Sequence, residues 1–117
     1  MKILKPTVHG LLDYIAVLIF ALAPSVLGLT GTAMFVCYIL AAAHFVLTAG
    51  TKFPLGLVKV IGFQAHGMIE FFVAVFLLVG GYFLGGSAAG KGFLIGAGAV
   101  IFLVFILTDY SAADGTA

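Results

Sequence analysis

Three histidines and two carboxylates lie within otherwise apolar stretches of this chain, and two of the histidines stand in matching pairs with an acid: His9 with Asp13, and His66 with Glu70. A spacing of four sets each pair on one helical face, within reach of each other. His44 stands alone, and Asp109 ends the last apolar stretch. Charged groups inside a spanning helix cost about 2.5–3.5 kcal/mol at its centre, so their presence points to function.

Three chemistries fit these residue types. Imidazole and carboxylate together suit iron, zinc or manganese, and helix bundles hold such metals with His and Glu from facing helices. The candidate metal ligands are His9, Asp13, His66 and Glu70. A b-type haem is the second chemistry, with His9 and His66 as axial ligands or His44 replacing either. Proton relay is the third, since histidine titrates near neutral pH. Beside them stands a structural reading, in which each His and its carboxylate satisfy one another, anchor a helix end and snorkel towards water. His44 alone reads as a satisfied interior histidine. The spacing is no diagnostic metal signature, so all these readings stay open.

The elements that must carry these residues follow from composition. Of the 117 residues, 64% are hydrophobic and 8% charged, against about half and about a quarter in ordinary soluble domains. A single domain of this size cannot hide that apolar excess in its interior, so it must face lipid. A membrane-crossing helix needs about 20 mostly apolar residues, and four windows satisfy this, at roughly 8–29, 32–50, 62–84 and 91–109. They lack the alternation of a membrane barrel, and helices satisfy their own backbone in lipid.

Lysines orient the spans, because short cytoplasmic loops are enriched in them. Lys2, Lys5, Lys52 and Lys59 mark one side as cytoplasmic, leaving Lys91 outside. Both termini, including Asp109 and Asp114, are then cytoplasmic, in a multi-pass protein of the inner (plasma) membrane. The segment Phe53–Lys59 is expected to lie along the membrane surface. Lys2, Lys5 and Ala21-Leu22-Ala23 imitate a secretory signal, but Pro24 after the supposed cut and Asp13 within the apolar run argue against one.

The chain also repeats. Sliding it along itself until His9-Gly10 falls on His66-Gly67 also sets Asp13 on Glu70, Pro24 on Gly81 and Leu27-Gly28 on Leu84-Gly85. Leu47-Thr48 aligns with Leu107-Thr108 if three residues are added. Two parallel hairpins, related by a pseudo-twofold axis along the membrane normal, are expected. Such units resemble the SPW-repeat family of small bacterial membrane proteins, whose units open with a His-x-x-x-acid pattern and carry a Ser-Pro-Trp-like turn. The matching segments are His9–Asp13 and His66–Glu70, with turn regions Ala23–Gly28 and Gly80–Gly85; Leu107-Thr108-Asp109-Tyr110 matches the unit end and Leu47-Thr48-Ala49-Gly50 departs from it. Both copies lack the tryptophan. The resemblance covers nearly the whole chain and implies the repeat and four spans, with no chemistry attached.

The fold expected is therefore all-α: an integral membrane four-helix bundle built from two repeated helical hairpins, one domain over 1–117 with units at about 6–50 and 62–110. Gly81-x-x-x-Gly85, Gly92-x-x-x-Gly96 and Gly98 give small faces for close packing within the chain or in a homo-oligomer. Pro24 is expected to bend or end the first helix. Tyr14, Tyr38, Tyr82 and Tyr110 are candidate interfacial anchors, and the single cysteine, Cys37, reads as core. A net charge of +1 excludes a nucleic-acid footprint, and there is no nucleophile elbow, phosphate loop or zinc-protease motif. Two functions of different class remain: a metal- or haem-binding membrane protein, and an accessory or scaffolding subunit of a larger membrane complex. A proton or small-solute pathway stands beside them.

Overall fold

Apolar runs of this length close their backbone hydrogen bonds internally, and in the computed structural model, which describes residues 2–112, they do so as four helices. These are α1 (Pro6–Leu27), α2 (Gly31–Ala49), α3 (Phe63–Leu84) and α4 (Ala88–Leu107), with a short 3-10 turn at Tyr110–Ala112. At 1.5 Å per residue they measure about 28–33 Å, the thickness of a bilayer's hydrocarbon core. Only 22–28% of each span is buried within the chain. The outward residues are large and apolar, as with Val26 and Phe83, and a multi-pass membrane protein in a lipid bilayer is the environment that satisfies them. Asp114 lies outside the described residues.

The architecture is the expected four-helix bundle, with α1 packed on α2 and α3 on α4. Close approach in the second hairpin depends on glycine. A side chain at Gly81 would meet Ile95 and Leu94, and one at Gly98 would meet Leu77 and the Ala74 carbonyl. Gly92 and Gly96 have open space before them and take no part in this packing. The apolar core joins Phe20, Cys37 and Ala41 of the first hairpin to Ala74, Leu77 and Leu94 of the second.

Pro24 does not end the first helix, which runs on to Leu27. Its end is set by Gly28, whose left-handed backbone (φ 66°) suits glycine, and Leu29 N–H then donates to the Pro24 carbonyl at 2.9 Å.

Two short parallel bridges tie the hairpins together, Leu4 beside Thr108 and Ile61 beside Thr51. Leu4 N–H donates to Leu107 and Asp109 N–H to Leu4, at 2.9 and 3.0 Å; Ile61 N–H donates to Gly50 and Lys52 N–H to Ile61, at 2.8 and 2.7 Å. The offset that relates His9 to His66 relates every partner in one set to its counterpart in the other: Leu4 to Ile61, Gly50 to Leu107, Thr51 to Thr108 and Lys52 to Asp109. Each hairpin's lead-in segment thus grips the other hairpin's tail. The symmetry also corrects the register, since Thr51, and not Thr48, is the counterpart of Thr108.

The connection from α2 to α3 does not simply lie on the surface. Leu57, Val58 and Val60 are exposed, but Phe53 is fully buried. The segment is held to the end of α2 by Leu57 and Val58 N–H groups donating to the Ala49 carbonyl at 2.7 and 2.9 Å, and by Tyr14 Oη donating to the Leu55 carbonyl at 2.8 Å.

Candidate metal centre

Helix polarity delivers the ionisable residues to one end of the bundle. His9 and Asp13 lie near the start of α1, His66 and Glu70 near the start of α3, and His44 near the end of α2. All five are at most 5% exposed. Buried charges without partners are costly, so such a set must compensate itself or hold an ion.

The five side chains meet at one point. Asp13 stands 3.1, 3.4 and 2.9 Å from Nε2 of His9, His44 and His66. Glu70 stands 2.8, 3.1 and 3.2 Å from the same three nitrogens. Each carboxylate therefore touches every imidazole. His9 Nε2 is hydrogen-bonded to Glu70 Oε1 at 2.8 Å, but Nε2 of His44 and His66 and Oδ2 of Asp13 have no well-directed hydrogen bond. Proximity without hydrogen-bond direction is what donors converging on a shared centre produce.

The outer faces of His9 and His66 are fixed by threonines. His9 Nδ1 lies 2.8 Å from Thr108 Oγ1 and His66 Nδ1 lies 2.7 Å from Thr51 Oγ1. Each threonine already donates its hydroxyl proton to the carbonyl one turn earlier, Thr108 to Val104 at 2.6 Å and Thr51 to Leu47 at 2.5 Å. A hydroxyl has a single proton, so each threonine must accept from its histidine. Both histidines consequently carry their proton on Nδ1, and when neutral each turns an Nε2 lone pair towards the carboxylates.

Aromatic rings seal this end. Phe53 covers Gly10, and Tyr110 covers Gly67, where a Cβ would come within 2.6 Å of the phenol ring. Phe63 lies 4.7 Å from the Tyr110 ring and 5.2 Å from His9. Phe53 and Tyr110 are again counterparts under the repeat, as Gly10 and Gly67 are. Tyr110 is therefore a packed lid in place of an interfacial anchor, and burial beside the Glu70 and Asp13 carboxylates pushes its phenol well above the ordinary range.

His9, Asp13, His66 and Glu70 offer donor atoms that all lie within 4.8 Å of one another, an arrangement able to hold a metal ion. Donors 2.0–2.1 Å from one ion at tetrahedral or octahedral angles lie about 2.8–3.4 Å apart, and the nitrogen–oxygen distances here are 2.8–3.2 Å. His44 stands beside this set, its Nε2 3.1 Å from Glu70, at a position whose counterpart in the second unit is Ile101. Asp109 does not join: its Oδ1 accepts from Ser111 N–H at 3.1 Å and from the Ser111 hydroxyl at 2.6 Å, near the surface. No protein-family model, curated protein or solved structure matches this chain.

Thr51, Thr108, Phe53 and Tyr110 carry no site signal of their own in the sequence. Only the unbroken offset of the repeat pairs them, setting Thr51 on Thr108 and Phe53 on Tyr110; an insertion placed near the end of the first unit hides both pairs.

Proposed function

We propose that this protein is a membrane-embedded transition-metal-binding protein, its ion held by His9, Asp13, His66 and Glu70 with His44 alongside. The observation that carries this reading is the pairing of Nδ1 of His9 and His66 with threonine hydroxyls, which turns both Nε2 atoms towards the carboxylates. Histidine ligands of metals characteristically donate their remote N–H to an acceptor that sets ring orientation, and Thr108 and Thr51 are such acceptors. Charge supports it as well, since a divalent cation balances two carboxylates among neutral imidazoles. The oxygen and imidazole donors suit iron, zinc or manganese, while the thiol of Cys37 belongs to the apolar core and offers nothing to a soft metal.

Two observations favour an ion over haem and over a relay across the membrane. Both carboxylates fill the space between His9 and His66, whose ring centres are 5.3 Å apart, leaving no slot for a macrocycle. Beyond the cluster, the spans carry no further acid or histidine before the Lys91 end, so a proton would find no relay. The lysine distribution supports an inner-membrane placement with the cluster on the cytoplasmic side, and the paired opening motifs support kinship with SPW-repeat proteins.

The test is elemental analysis with visible spectroscopy on protein purified in mild detergent. About one metal ion per chain, lost in His66→Ala and in Glu70→Gln, is the expected result. Folded, colourless and metal-free protein that takes up no added zinc, iron or manganese would overturn the reading and favour an accessory role. A Soret band would favour haem.

A further inference from the structure

The pseudo-twofold axis generates a set of four donors, two imidazoles and two carboxylates. His44 is the one imidazole at the centre that the axis does not account for, because its counterpart is Ile101. We infer that His44 is a fifth ligand to the ion, making the centre five-coordinate and favouring iron(II) or manganese(II) over zinc(II), an assignment that rests on the metal reading above.

His44 reaches the same two carboxylates as the paired histidines. Its Nε2 stands 3.1 Å from Glu70 Oε2 and 3.4 Å from Asp13 Oδ1, both within the spacing of about 2.8–3.4 Å between neighbouring donors on one ion. The oxygens closest to His44 are the two that are not closest to His9, which faces Glu70 Oε1 and Asp13 Oδ2. The two imidazoles thus address different oxygens of the same acids, and a fifth donor enters without crowding the first four. Burial is the second, independent observation. His44 is 5% exposed, and its Nε2 has no well-directed hydrogen bond. A polar atom withdrawn from water and left unpaired is costly, and ligation of an ion removes that cost.

Coordination number bears on the choice of metal. Zinc is almost always four-coordinate in closed protein sites, and the symmetric set of four already meets that need. On affinity alone zinc outcompetes iron(II) and manganese(II) for nitrogen and oxygen donors, so selection against it comes from geometry and ligand type. A fifth donor supplies such geometry, because iron(II) and manganese(II) accept five or six imidazole and carboxylate ligands while zinc gains little from the addition.

Cobalt(II) reports coordination number, because its tetrahedral complexes absorb visible light several-fold more strongly than its five- and six-coordinate ones. The full chain in mild detergent, stripped of metal and reloaded with cobalt(II), is expected to show the weak spectrum. His44→Leu should show the intense one with cobalt still bound. In anaerobic competition between zinc(II) and iron(II), His44→Leu should shift the bound ratio towards zinc by about tenfold, or about 1.4 kcal/mol. His44→Phe keeps a ring without its nitrogens and serves as the second variant should His44→Leu not fold. An intense tetrahedral spectrum in the wild type, a spectrum unchanged in the folded variant, or an unchanged ratio of zinc to iron would overturn the assignment and leave the metal reading standing. Wild-type protein that takes up no cobalt, zinc or iron would overturn both.

Discussion

His9 Nδ1 and the Thr108 hydroxyl oxygen are 2.8 Å apart although 99 positions separate them in the chain. Because Thr108 spends its one proton on Val104, this contact dictates which nitrogen of His9 faces the carboxylates. His66 and Thr51 repeat the arrangement.

Thr108→Val and Thr51→Val should therefore each weaken metal affinity by about 10–100-fold, the usual cost of losing an orienting partner. Thr→Ser at either position should retain most of it. Chelator competition measures both, and an unchanged affinity in the valine variants would refute the fixed-tautomer argument.

Loss of metal on acidification is expected, since imidazole ligands must be neutral and carboxylates ionised to bind. Metal should be released as the pH falls and recovered on return to neutrality. Release into a dye across a pH series checks this, and Glu70→Gln should hold no metal at any pH.

Tyr110 should stay un-ionised through the ordinary tyrosine range. Its raised pKa means that the unfolded chain ionises first, so its effect is absent below about pH 10 and erodes stability as the pH rises further. Comparing alkaline phenolate absorbance of the wild type with Tyr110→Phe tests this. No difference between them within the ordinary range is expected.

Gly67→Ala should displace the Tyr110 ring, costing about 1–3 kcal/mol as an overpacked core does, and should lower metal affinity along with stability. Gly67→Ala combined with Tyr110→Ala should recover part of the stability lost in Gly67→Ala alone. Thermal unfolding in detergent provides the readout.

Gly98→Leu and Gly92→Ala should diverge in the same assay. A side chain at Gly98 meets Leu77 and the Ala74 carbonyl at 2.9–3.0 Å, whereas Gly92 has nothing within 4 Å. The first should splay α3 from α4. The second should be neutral or stabilising by up to about 1 kcal/mol, the helix cost of glycine.

The spans are legible in the sequence because hydropathy is a local signal and their lengths match a bilayer. The juxtaposition of His9, Asp13, His66 and Glu70 follows from spacing and repeat, since parallel hairpins return like positions to like depth. Asp109 promises more in the sequence than it delivers: it stands one residue past Thr108, and its side chain turns to Ser111. Thr51 and Thr108 are silent because a lone hydroxyl in a helix-end sequence carries no chemical signature; its meaning depends on which histidine the other hairpin brings. Phe53 and Tyr110 look like any membrane aromatics until Gly10 and Gly67 are seen to make room for them.

The crossed grip of Leu4 on Thr108 and of Ile61 on Thr51 makes neither half self-sufficient. Severing the polypeptide between its halves would leave each fragment with a histidine and an acid but with its orienting hydroxyl on the other piece. Two identical half-length chains docked about the same axis would restore both grips, but would carry the same residue at both off-axis positions. Covalent linkage is what allows those positions to differ, as His44 and Ile101 do, and so gives the centre one polar flank and one oily one.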